Sequence, residues 1–112
     1  MITTVELLDE VKKTQGIETK YALAKLLDCG QSSVANWYKK DTMNDRYALR
    51  CADLADLDPG YVLYSMAAER ALKKKDERLF QFWKKQADKI GPALLAVSAC
   101  FLTIIPAIPL PF

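Results

Sequence analysis

The sequence predicts an all-α fold: five short helices packed as one domain over residues 1–66, then an amphipathic helix and an apolar tail. Three observations predict it. Apolar residues recur at three- and four-residue spacing along most of the first 66 positions. Side chains able to cap a helix stand where most of the segments must begin. A composition of 51% hydrophobic residues with only 4 Gly and 5 Pro describes a folded chain and excludes a disordered one. At 112 residues there is room for one compact domain and an appendage.

Thr3 followed by Glu6 makes a capping box, and Val5, Leu7, Leu8 and Val11 give the apolar face of a first helix over 4–13, closed by Gly16. Thr19 supplies the N-cap of a second helix over 20–27, in which Leu23, Leu26 and Leu27 stand beside the small Ala22 and Ala24. After the break at Asp28, Cys29 and Gly30, a third helix runs from Gln31 or Ser32 to Lys39, with Val34 and Trp37 three apart as its buried side. Gln31 or Ser32 is expected to cap it. Asn44 or Asp45 opens a fourth helix holding Tyr47, Ala48, Cys51, Leu54 and Ala55, and Asp58-Pro59 opens a fifth in the order cap then proline.

Beyond residue 66 the character changes. Residues 67–90 combine a charge-rich stretch from Arg70 to Arg78 with an amphipathic helix bearing Leu79, Phe80, Phe82, Trp83, Ala87 and Ile90, with Asp76 as its cap. Residues 91–112 hold no charge at all, and three of the five prolines fall in the last seven positions.

Charge is distributed unevenly. Residues 1–66 carry 8 Lys/Arg against 10 Asp/Glu, whereas residues 67–112 carry 8 against 4. A net −2 domain is no general nucleic-acid coat, so any DNA contact within it must come from a local patch. Three cysteines in a chain without His offer no metal-ligand spacing and are read as reduced thiols. Acidic Glu6, Asp9 and Glu10 stand where a signal peptide would be basic or apolar, so residues 1–90 are expected in the cytoplasm. With no His, no Gly-rich phosphate cradle and no nucleophile beside a base, neither an enzyme nor a cofactor is expected.

Residues 20–39 read as a helix-turn-helix. Ala24 lets two helices approach closely, Gly30 lies in the turn, and Val34 and Trp37 pin the second helix from beneath. Its polar N-terminal residues are then free to enter a major groove, where Gln and Asn pair with adenine and Ser bonds to several base edges. Gln31, Ser32, Ser33 and Asn36 are the candidate DNA-reading residues. Lys39 and Lys40 are candidate phosphate contacts, although lysines at a helix C-terminus also complement the helix dipole without any ligand. Tyr38 is read as a partly buried aromatic.

This segment resembles the Cro/λ-repressor-like (Xre) helix-turn-helix family in the order and spacing of Ala24, Gln31, Ser32, Val34 and Trp37. The likeness extends through residues 48–63, with Pro59 and Tyr61 placed as in the family's closing helices, and covers about 60 residues. It implies the λ-repressor-like five-helix fold, double-stranded DNA as partner and a role as a small transcriptional regulator. Together with the small size and apolar tail, it suggests an accessory regulator of phage or prophage origin. Asp28 departs from the family's glycine after the second helix, and Asp tolerates the left-handed backbone such a turn needs.

The tail leaves three readings open. It has the uncharged length of a membrane anchor following Lys84, Lys85 and Lys89, with Phe82 and Trp83 at interface depth, which would attach the protein to the cytoplasmic face of the inner membrane. Pro106 shortens its helical part to about 21 Å, below the ~30 Å of a bilayer core. It could instead join copies into a homodimer or higher oligomer, or complete the domain's own core. The alternative function is a membrane-associated or oligomeric protein-interaction factor whose helix-turn-helix fold no longer binds DNA.

Overall fold

A computed structural model of the chain describes residues 1–92. Among these residues the regular structure is entirely helical: α1 Thr4–Gln15, α2 Lys20–Leu27, α3 Gln31–Lys39, α4 Asp45–Leu54, α5 Pro59–Lys73 and α6 Glu77–Ile90.

Each helix begins where local chemistry starts it. The Thr3 hydroxyl accepts the Glu6 N–H, and the Glu6 carboxylate accepts the Thr3 N–H, completing the capping box of α1. Thr19, Asn44, Asp58 and Asp76 accept the third backbone N–H of α2, α4, α5 and α6 in the same way. α1 runs two residues beyond its expected end at Lys13, because Gly16, at φ 68°, is the first position whose backbone turns left-handed. Asp28 does adopt the left-handed conformation, at φ 54°, and its N–H and that of Cys29 return to the Ala24 carbonyl to close α2.

Helices α1 to α4 enclose a core of Leu7, Leu8, Val11, Leu23, Leu27, Val34, Ala48 and Cys51, all without solvent exposure. Each large aliphatic side chain in it contributes about 1.5 to 3 kcal/mol. Met43, from the loop between α3 and α4, fills the same core. The sequence pattern did not reveal it, since a single apolar residue among Asp41, Thr42 and Asn44 has no periodicity. Burial pushes the Cys51 thiol up to about 12, so it stays protonated at neutral pH; Cys29 and Cys51 are free thiols.

α5 continues without a break through Met66 to Lys73, so Arg70 and Lys73, first read as part of a charged connector, belong to its last turn. Lys75, at φ 59°, turns the chain, and α6 returns along α5. Trp83 stacks on Tyr64 with ring centroids 5.6 Å apart, and Ala87 is buried in the same core as Leu7 and Val62. A side chain at Gly60 would approach Ile90 Cδ1 to 3.2 Å, so a glycine lets the end of α6 close on the start of α5.

Thr4 joins three parts of this assembly. Its hydroxyl donates to Glu69 Oε2 of α5 at 2.5 Å and accepts the Met43 N–H at 3.1 Å, and its own N–H reaches Glu69 Oε1. With Thr4 only 1% exposed, water cannot replace these bonds. Ser65 acts likewise, accepting the Ile2 N–H and donating to the Tyr61 carbonyl.

No described helix is long and apolar enough to cross a membrane. Of the apolar tail, Gly91 and Pro92 are described, and the expectations placed on positions 93–112 lie outside the described residues.

Thr4→Val keeps the side-chain shape and removes both hydroxyl bonds. It is expected to destabilise the protein by about 1 to 3 kcal/mol, the cost of leaving buried partners unsatisfied. Urea unfolding of the variant beside wild type measures this, and an unchanged midpoint would show that the hydroxyl is not a structural tie.

Candidate nucleic-acid interface

α2 and α3 form a helix-turn-helix fixed from behind. Val34 is fully buried and Trp37 is 8% exposed, its ring 5.3 Å from that of Tyr47 on α4 in a tilted arrangement. Arg50 of α4 donates to the Leu27 carbonyl at 3.0 Å, a cation meeting the negative end of α2. On the other flank the half-buried Tyr38 donates its hydroxyl to Asp9 Oδ1 at 2.9 Å. The ammonium groups of Lys12 and Lys20 stand 4.8 and 5.1 Å from the Tyr38 ring centroid, within cation–π range. Burial, then the bond to Asp9, pushes the Tyr38 hydroxyl well above the usual phenol range.

With α3 pinned on both flanks, its outward side is set by helical geometry. Ser32, Asn36 and Lys39 are exposed and share the face opposite Val34 and Trp37, and Gln31 is exposed at the edge of that face, in the first turn. Ser33 lies at the edge of that face, half-buried. The expectation that Gln31 or Ser32 caps α3 is not met: Gly30, in extended conformation, occupies the N-cap, and no side chain closes the helix. Gln31 and Ser32 stand one and two positions beyond the cap, and neither side chain makes a capping hydrogen bond.

Lys40 stands at the other end of α3, in a cavity of about 420 Å³ lined also by Trp37, Asp41, Thr42, Asn44, Arg70, Lys73 and Lys74. Arg70 donates to the Met43 carbonyl at 2.8 Å and to Asp45 Oδ1 at 2.9 Å, and Lys73 donates to the Lys40 carbonyl. The last turn of α5 is therefore tied to the connection between α3 and α4, and it carries cations there. The sequence places Lys73 to Lys75 in a charge-rich stretch of a separate segment, because nothing local reports that the last turn of α5 reaches the loop after α3. Arg46 and Arg50 were missed too. They border a cavity of about 290 Å³ with Asp28 and Tyr47 beside the turn of the motif, and their signal was two exposed arginines four apart on α4. Among the described residues no group of His, Cys, Asp or Glu could hold a metal ion.

A helix-turn-helix with a polar, outward second helix occurs in several protein families, and comparison of the whole sequence decides among them. The model of the bacteriophage CI repressor helix-turn-helix domain matches residues 6–66, just over half of the 112 residues. The chain belongs to this CI-repressor family. The match begins within α1 and ends inside α5, so the CI-repressor domain encloses the whole α2–turn–α3 unit and the core that holds it. It agrees with the resemblance drawn from Ala24, Gln31, Ser32, Val34 and Trp37. Comparison with curated proteins and with solved structures gives no match.

Because Trp37 holds α3 of the CI-repressor fold against α4, Trp37→Ala is expected to cost about 3 to 5 kcal/mol, a large part of a small domain's stability. Thermal melting checks this, and a variant that melts like wild type would contradict the packing of the motif.

Proposed function

We propose that this protein is a sequence-specific double-stranded DNA-binding regulator of transcription acting in the cytoplasm, in which the exposed face of α3 reads base edges in the major groove. The observation that carries the reading is the convergence of Ser32, Asn36 and Lys39 on one outward helix face, with Gln31 exposed at its N-terminal edge and free of capping duties, within a CI-repressor helix-turn-helix. Gln31 and Asn36 are suited to bidentate pairing with adenine, and Ser32 to donating or accepting beside them. Ser33, at the edge of the face, is in reach of the sugar-phosphate backbone rather than of bases.

Lys39 and Lys40 at the C-terminal end of α3 take phosphates, and Lys73 and Lys74 extend that cationic rim from α5. This answers the objection from net charge. The carboxylates outnumber the cations over residues 1–66, but Asp9 is bonded to Tyr38, Asp45 to Arg70, and Glu6 and Asp58 to helix N-termini. Among the described residues Asp28 and Asp41, at the two ends of α3, carry no such bond, and the cations that outnumber them are Lys39, Lys40, Lys73 and Lys74 at one end and Arg46 and Arg50 at the other.

Selection from a randomised duplex library with the full chain, followed by titration of the selected duplex, tests the reading. Gln31→Ala is expected to cost about 1 to 3 kcal/mol on the selected duplex and little on random DNA. Equal losses on both would make Gln31 a backbone contact, and failure to enrich any sequence would remove the reading altogether. The Lys39→Ala/Lys40→Ala double variant is expected to weaken binding to both DNAs and to reduce the slope of affinity against salt by about two units. An unchanged slope would take both lysines out of the interface.

A further inference from the structure

The α5–α6 hairpin presents a second surface, away from the face of α3. α6 has a wide apolar arc, and α5 covers half of it: Ala87 is buried, and Phe80 and Trp83 are half-buried. The other half faces outward, with Leu79 42%, Phe82 52% and Ile90 41% exposed, and Leu72 at the hairpin end 49% exposed. At about 100° per residue, Leu79, Phe82, Gln86 and Ile90 fall within about 80° of one another on α6.

The charges around that strip are sorted by sign. Arg78, Lys85 and Lys89, all exposed, follow it directly on the side away from α5, within about a further 60° of arc. The carboxylates of Glu77 and Asp88 lie about half a turn away on the opposite side of the helix. Asp88 is engaged there by Lys84 at 2.8 Å and by the N-terminal amine. Lys84 and Trp83 are therefore spent within the protein. Among the described residues Arg78, Lys85 and Lys89 form no ion pair.

We propose that this strip docks flat on an anionic lipid surface, Leu79, Phe82 and Ile90 entering the interfacial zone while Arg78, Lys85 and Lys89 pair with lipid phosphates. An exposed apolar strip bordered by cations is the arrangement that lies in the plane of a bilayer, where burial and electrostatic attraction add. Charge decides between this and self-association. Antiparallel pairing of the strip with the same strip of a second copy would bring two rows of like charge together, and parallel pairing would leave each row on an opposite flank with no carboxylate of α6 facing it, since Glu77 and Asp88 lie on the far side. The uncharged sequence that begins at Gly91 leaves α6 at the Ile90 end of the strip, so no charged residue follows to oppose contact. The inference does not depend on DNA binding, since it uses none of the α3 residues.

The test is flotation of the full-length protein with vesicles of phosphatidylcholine alone or with about one third phosphatidylglycerol. Wild type is expected to bind the anionic vesicles at least about tenfold more strongly than the neutral ones. Leu79→Ser/Phe82→Ser should lower that binding by about tenfold or more, with circular dichroism and melting showing a folded protein. Arg78→Gln/Lys85→Gln/Lys89→Gln should weaken it by about a hundredfold and abolish the preference for anionic vesicles. Equal binding of wild type to both vesicles overturns the proposal, as does a folded Leu79→Ser/Phe82→Ser protein that binds like wild type. A lipid-free wild-type dimer that this variant dissociates, read by sedimentation, would show the strip to be a contact between copies and would overturn it as well.

Discussion

The hydroxyl of Thr4 is the tie on which the arrangement of α3 depends. α3 is short and one of its sides is polar and outward, so beyond the packing of Val34 and Trp37 its direction is set by what grips its two ends. The connection leaving its C-terminal end is held at Met43, whose N–H is bonded to Thr4 and whose carbonyl is bonded to Arg70. Thr4 is itself anchored by Glu69, the residue before Arg70. A single buried side chain thus links the start of α1, the loop after α3 and the C-terminal part of α5. These bonds hold to one geometry because any displacement leaves a buried polar group unpaired.

A consequence is that charge in this protein has to be judged by location. The sum over residues 1–66 is negative, yet two of the acidic residues around α3 are bonded within the fold, while Asp28 and Asp41 stand exposed at its two ends. Asp9 keeps the Tyr38 hydroxyl in place, and Asp45 holds Arg70. The same sorting appears on α6, where Asp88 is bonded on one side and three cations stand on the other. In both places internal hydrogen bonds engage carboxylates and leave cations outward, so two surfaces of a nearly neutral chain can each present positive charge.

The helix starts were legible because capping is local chemistry: Thr3, Thr19, Asn44, Asp58 and Asp76 each bond a backbone group three residues away, and a sequence shows that distance directly. Val34 and Trp37 were legible for a similar reason, as spacing on one helix. What the sequence hid was mostly long-range. Met43 is buried by its neighbours in space, the Thr4–Glu69 bond spans 65 positions, and Lys73 lies beside Lys40 because the last turn of α5 reaches the loop after α3. The cap of α3 is the instructive local miss. A serine near a helix start is ordinarily a cap, and here Gly30 takes that position, one residue before Gln31 and two before Ser32.

That glycine bears on how such a protein can change over generations. A side-chain cap at the head of α3 would make its identity a condition of folding, since losing a cap typically costs about 1 kcal/mol. With Gly30 in that position, the helix start rests on backbone conformation alone, and Gln31 and Ser32 contribute neither to the cap nor to the core. Exchanges at these two positions are decoupled from stability. A lineage can therefore vary them freely while Val34, Trp37 and the residues behind them stay fixed, and diversity among its descendants would concentrate on the outer face of one short helix.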